Sequence, residues 1–92
     1  MLLINVSSAA NSRLKFSDFE RFGLPAPPSG ADPEVNDDLI LKFEDEEEAV
    51  VYAEQLENLS NGLNDKDTPQ YAAINDIIMA INNNEFIKSY SR

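Results

Sequence analysis

Apolar residues recur along the chain in six patterned stretches, separated by polar or proline-rich ones. Leu2, Leu3, Ile4 and Val6 form a short run of strand length, and the small polar segment from Ser7 to Ser12 after it predicts a turn. Leu14 and Phe16 then alternate with Arg13 and Lys15, the pattern of a short return strand. A competing signal overlaps it. Ser17-Asp18-Phe19-Glu20 is a capping box with Ser17 as N-cap and Glu20 reaching back, and Gly23 before Leu24-Pro25 closes the segment, which predicts a short helix over 18–22. Residues 25–37 read as a connecting loop, Pro-rich first and acidic at its end, because the prolines at 25, 27, 28 and 33 remove backbone donors and restrict their neighbours.

Leu39, Leu41 and Phe43 alternate with Ile40, Lys42 and Glu44, the clearest strand pattern in the chain, expected beside the first strand. Asp45 follows as a helix cap with Glu48 three residues on. Ala49, Tyr52, Ala53, Leu56, Leu59 and Leu63 recur at helical spacing up to Asn61-Gly62, which predicts a helix over 46–60. Thr68-Pro69 supplies an N-cap and a proline at the first helical position. Tyr71, Ile74, Ile77, Ile78 and Ile81 then define the inner face of a helix over 69–81. Beyond Asn82-Asn83-Asn84, the residues Phe86, Ile87 and Tyr90 suit either a third short helix capped by Asn84 or an edge strand.

These elements predict an α+β fold: a two- or three-stranded sheet covered by two main helices, with a short N-terminal helix. The expected core contains Leu3, Ile4, Leu41, Phe43, Tyr52, Leu56, Ile74, Ile77 and Ile78. A length of 92 residues suits one domain over 1–92, burying roughly 60–65% of its unfolded surface.

Composition narrows the chemistry more than the fold. The chain has no cysteine and no histidine, which removes disulfides, thiolate and imidazole metal ligands, thiol nucleophiles and the commonest general base. Hydroxyls such as Ser7 and Tyr52 have no recognisable base beside them, and solvated carboxylate pairs have no raised acid among them. The expectation is a protein without catalytic residues, metal or cofactor. An EF-hand loop started at Asp32 would place Asp37 where glycine is needed and Phe43 where a bidentate glutamate is needed; one started at Asp65 fails at Gln70 and Asp76. No run approaches the roughly 20 apolar residues of a membrane helix, and Met1-Leu2-Leu3-Ile4 lacks a basic leader, so a cytoplasmic setting is expected.

Charge then changes the picture. Seventeen acids face seven bases, for a net charge of −10. Residues 32–57 hold eleven of those acids against the single base Lys42, so the whole excess sits in one segment. Such a field repels nucleic acid and anionic lipid and attracts a basic protein surface. On the helix over 46–60, with Ala49 at zero, Glu47 falls at about 160° and Glu54 at about 140°, while Glu57 and Glu46 flank the apolar face at about 80° and 60°. Carboxylates three or four residues apart on a helix lie about 5–6 Å apart at their Cβ atoms, a spacing comparable with the regular charge of a duplex backbone. Asp37 and Asp38, leading into the neighbouring strand, extend the expected strip. Val51 falls near 200° among these acids, and Val50 with Val51 suits a homodimer contact or a partner anchor.

In size, acidity and a lone acidic strip the chain resembles the small phage-encoded DNA-mimic proteins of the phage T4 Arn anti-restriction type. The resemblance implies non-catalytic inhibition of a basic DNA-binding protein, such as a nuclease, restriction factor or nucleoid protein. It places contact at Asp37, Asp38, Glu46, Glu47, Glu54 and Glu57, in the host cytoplasm. One departure is that the chain is charge-balanced outside 32–57. The alternative reading of the same residues is an adaptor or subunit that docks to one dedicated partner through apolar patches, Phe86-Ile87 among them, with the acids serving solubility.

Overall fold

The computed structural model describes residues 2–10, 14–15, 17–32, 38–65 and 67–90. In chain order its elements are β1 (Leu2–Asn5), α1 (Val6–Ala9), α2 (Ser17–Phe22), β2 (Ala31–Asp32), β3 (Ile40–Phe43), α3 (Glu46–Asn61), α4 (Pro69–Asn82) and α5 (Glu85–Ser89). The sheet order is β1-β3-β2, with β3 antiparallel to both neighbours. Helices α3 and α4 pack on each other, α3 against β3 and α4 against β1. This is the expected α+β arrangement.

Strand register explains which residues form the core. Leu2 pairs with Phe43 and Ile4 with Leu41, and all four are buried beneath the helices. Leu3 pairs with Lys42 on the opposite face and is 54% exposed, so its expected place in the core is overturned. Successive residues of a strand point to opposite faces, and a sheet covered on one side cannot bury both Leu3 and Ile4. Tyr52, Leu56, Ile74 and Ile77 are buried as expected, whereas Ile78 is half-buried at the edge of the cluster.

The polar stretch after β1 does more than turn. Asn5 caps α1 by accepting from the Ser8 N–H through Oδ1, and its Nδ2 donates to Asp38 Oδ2 at 2.9 Å. Ser7 Oγ accepts from the Leu39 N–H at 2.8 Å, and the Val6 N–H donates to the Leu39 carbonyl at 2.9 Å. Small hydroxyl and amide side chains thus tie α1 to the approach to β3, and Val6 is fully buried beneath them.

Helix α2 begins at Ser17, so Ser17 lies inside the first turn and not at the expected N-cap. Asp18 Oδ2 accepts instead from the Lys15 N–H at 3.1 Å. The helix ends as its glycine predicts: Gly23 has φ +69°, its N–H donates to the Glu20 carbonyl, and the Leu24 N–H reaches the Phe19 carbonyl at 2.8 Å. Those are the two bonds of a Schellman ending, which needs the left-handed conformation glycine takes without strain. Leu14 is buried, and neither it nor Lys15 belongs to a strand; Phe16 lies outside the described residues.

Strand β2 falls inside the stretch expected as a loop over 25–37. Two residues are too few for an alternation signal. The strand forms because β3 has a free edge and the Gly30 carbonyl, at φ +88°, accepts the Lys42 N–H at 3.0 Å.

Asp45 Oδ1 accepts from the Glu48 N–H at 2.9 Å and caps α3 as expected. Glu48 Oε1 in turn accepts from the Glu44 N–H and from Ser29 Oγ at 2.7 Å, joining the proline-rich loop to the helix. Thr68 Oγ1 caps α4 through the Tyr71 N–H, with Pro69 at its start. The open question after Asn84 resolves as a helix, because Asn84 Oδ1 accepts from the N–H groups of both Phe86 and Ile87. Among the described residues no helix is long and apolar enough to cross a membrane.

Tyr52 links core to loop. Its ring lies 5.6 Å from that of Phe43, and its hydroxyl donates to the Pro25 carbonyl at 2.6 Å. Burial pushes the phenol well above its ordinary value. Below pH of about 10 both folded and unfolded chains keep this proton and the group adds no pH dependence; above it the unfolded chain ionises first and stability falls, by at most about 1.4 kcal/mol per pH unit. Ultraviolet titration is expected to show the Tyr52 step arriving together with alkaline unfolding, and Tyr52→Phe should remove that step while unfolding midpoint drops. A Tyr52 that titrates normally in the folded protein would contradict its buried bond.

Candidate protein-docking surface

Helix α3 starts with Glu46, Glu47 and Glu48, where acids suit the positive end of the helix dipole. Glu48 and Asp45 are turned to the local bonds already described. Glu46 is half-buried and Glu47 exposed. Next to them, Leu2, Glu44, Asp45, Glu46 and Phe86 line an open hollow of about 200 Å³. Phe86 is 57% exposed there, although its neighbour Ile87 is buried. Consecutive helical positions diverge by about 100°, so the Asn84 cap that sends Ile87 inward leaves Phe86 on the surface.

Tyr90 belongs to the same neighbourhood. Desolvation first, and then the carboxylates of Glu47, Asp45 and Glu46, push its phenol above the ordinary value. Phe86 and the half-buried Tyr90 thus both lie on the side of the molecule that carries the carboxylates at the start of α3.

The other acids of α3 have a different setting. Glu54 and Glu57 line a hollow of about 280 Å³ with Val50, Ala53, Asn82, Ile87 and Lys88. Val50 falls at about 100° on the helical wheel, between Glu57 and Glu54. It is 8% exposed, which overturns its expected role as a surface contact; its partner in that expectation, Val51, is 47% exposed. Helix α5 packs against α3 on this side. Glu54 and Glu57 thus lie two to three turns along α3 from Glu46 and Glu47, on the side where α5 packs.

Asp38 stands apart from both. It precedes β3, while α3 begins beyond the far end of that strand, about 16 Å away at the usual rise per residue. It is held there by Asn5. Asp37 lies outside the described residues.

Sequence reasoning found Glu46 and Glu47, and it found Phe86, but assigned them to rival readings. Forty residues separate them in the chain, and no periodic pattern spans that gap. Among the described residues the one salt bridge is Arg21 to Asp18 at 3.7 Å, within α2. No group of three acids among the described residues is placed to hold a metal ion. A further hollow, of about 440 Å³ between Ser17, Phe19, Glu20, Leu24 and Ala26, has Glu20 as its one carboxylate among the described residues. Comparison of the chain with protein-family models, with curated proteins and with solved structures gives no match.

Proposed function

We propose that the protein is a non-catalytic acidic interaction protein that docks on, and thereby inhibits, a basic nucleic-acid-binding surface of another protein. In this reading Glu44, Glu46 and Glu47 stand where phosphates would stand and Phe86 fills an apolar hole between the partner's basic side chains. The observation that carries it is the exposed Phe86 ring, which lines one hollow together with Glu44, Asp45 and Glu46. Aromatic anchors with a polar rim concentrate binding energy, and the net charge of −10 speeds encounter with a basic surface. The setting of such an inhibitor is the cytoplasm, where nucleases and nucleoid proteins meet DNA, and neither metal nor cofactor takes part.

A second reading, a dedicated adaptor or subunit whose acids serve solubility, is favoured by the same exposed Phe86. Salt separates the two. Affinity capture from a bacterial lysate, with the native protein and with a Glu46, Glu47, Glu54 and Glu57→Gln variant, should retain DNA-binding proteins on the native form. These should elute as salt rises from roughly 50 to 200 mM, be displaced by duplex DNA and be missing from the variant. A single partner that binds both forms equally and resists salt would replace the inhibitor reading with the adaptor.

A further inference from the structure

The sheet has an edge whose hydrogen-bonding direction can be read residue by residue. β1 stands at the end of the order β1-β3-β2, so among the described residues no strand pairs with its far side. The Val6 N–H donates to the Leu39 carbonyl, which makes Val6 with Leu39, Ile4 with Leu41 and Leu2 with Phe43 the bonded pairs of this antiparallel ladder. Lys42 turns its N–H the other way, to the Gly30 carbonyl on the β2 side. Leu3, opposite Lys42, therefore directs both its N–H and its carbonyl to the far side of β1, and its side chain is 54% exposed on the uncovered face. Sheet edges are commonly guarded by charge, proline or a bulge. β1 reads Leu-Leu-Ile-Asn in unbroken register and has none of these guards.

Charge selects the occupant. Residues 1–12 hold no charged side chain, in a chain of net charge −10. Other exposed apolar residues have acids beside them: Val51 has Glu47 and Glu54 one turn away on α3, and Phe86 lines a hollow with Glu44 and Glu46. A second copy of so acidic a chain meets least repulsion along β1. We propose that β1 is a self-association edge, through which two copies of this chain pair antiparallel with Leu3 on the twofold axis. The Leu3 N–H of each copy donates to the Leu3 carbonyl of the other, and the two leucine side chains cover each other. Leu2 of one copy falls opposite Ile4 of the other on the core side, and the two three-stranded sheets become one. Glu44 and Glu46 lie beyond the Leu2 end of β1, and antiparallel pairing points the two Leu2 ends in opposite directions, which keeps the acids of the copies apart. The same patch serves both copies, so assembly closes at two.

Sedimentation equilibrium of the native chain at roughly 100 μM should give twice the monomer mass and the monomer mass on dilution, as suits so short an interface. Added salt should favour the dimer, because it screens the repulsion between two like-charged copies; docking on a basic surface has the opposite salt dependence. Leu3→Lys should remain folded, since the position is exposed, and should be monomeric, while Val51→Lys should remain dimeric. Amide hydrogen exchange reads the same edge without a substitution. The Leu3 amide should gain about ten-fold protection between dilute and concentrated protein, whereas the Ile4 amide, already bonded to β3, should not change. Should Leu3→Lys fail to fold, this pair of amides decides. A native chain that stays monomeric at roughly 100 μM, or a Leu3 amide indifferent to concentration, overturns the proposal. A dimer that Leu3→Lys leaves intact and Val51→Lys dissolves also overturns it, by moving the contact to α3. The docking reading stands or falls separately, on capture of a partner and its loss with salt.

Discussion

Phe43→Ala should lower the unfolding free energy by about 3–5 kcal/mol, a large part of the roughly 5–15 kcal/mol that stabilises a domain. Phe43 is fully buried at the end of β3, opposite Leu2 and in ring contact with Tyr52. Truncation loses the transfer free energy of the ring and leaves a cavity. The neighbours are poorly placed to fill it, since Tyr52 is held by its bond to the Pro25 carbonyl and Leu2 by the strand ladder. Denaturant unfolding should show the midpoint falling with the slope unchanged. Leu3→Ala, on the same sheet but 54% exposed, should change stability by about 0.5 kcal/mol or less. Equal losses at the two positions would mean that the strand faces are assigned the wrong way round.

Phe86→Ala should weaken docking to a captured partner by about 10- to 100-fold, equivalent to about 1.4–2.8 kcal/mol. Phe86 is 57% exposed, so the folded state loses little when it is truncated. Its neighbours supply the contrast. Glu46→Gln with Glu47→Gln should act mainly on the association rate and flatten the salt dependence, because rim charges steer encounter, while the Phe86 change should appear in dissociation. Binding kinetics at two salt concentrations check both. A Phe86→Ala protein that dissociates as slowly as the native one would leave charge alone to explain docking.

The legible parts of the fold were those written in local pattern. Asp45 and Thr68 cap their helices because each offers an oxygen to an N–H three residues on, a relation contained within one turn. The period of the apolar positions set α3 and α4 to within a residue at their ends. The same locality misled at Ser17, where a matching capping box lost to a turn closed by Asp18 and Lys15. It was silent on β2, which exists because β3 offers it a ladder. The site divided in the same way: Glu46 and Glu47 were read from their positions on one helix, whereas the approach of Phe86 to Glu46 depends on how α5 packs against α3.

The amino-acid sequence by itself determined the fold class, the two long helices, the central strand and the excess of negative charge, since each depends on residues within a few positions of one another. Tertiary structure decided which face of β1 is covered, and so exposed Leu3. It buried Val50 and set Phe86 beside the acids at the start of α3. The physical reason is common to all three. Burial and charge juxtaposition depend on which elements pack together, and that packing is fixed by the summed apolar contacts of the whole core, which no single segment of the chain contains.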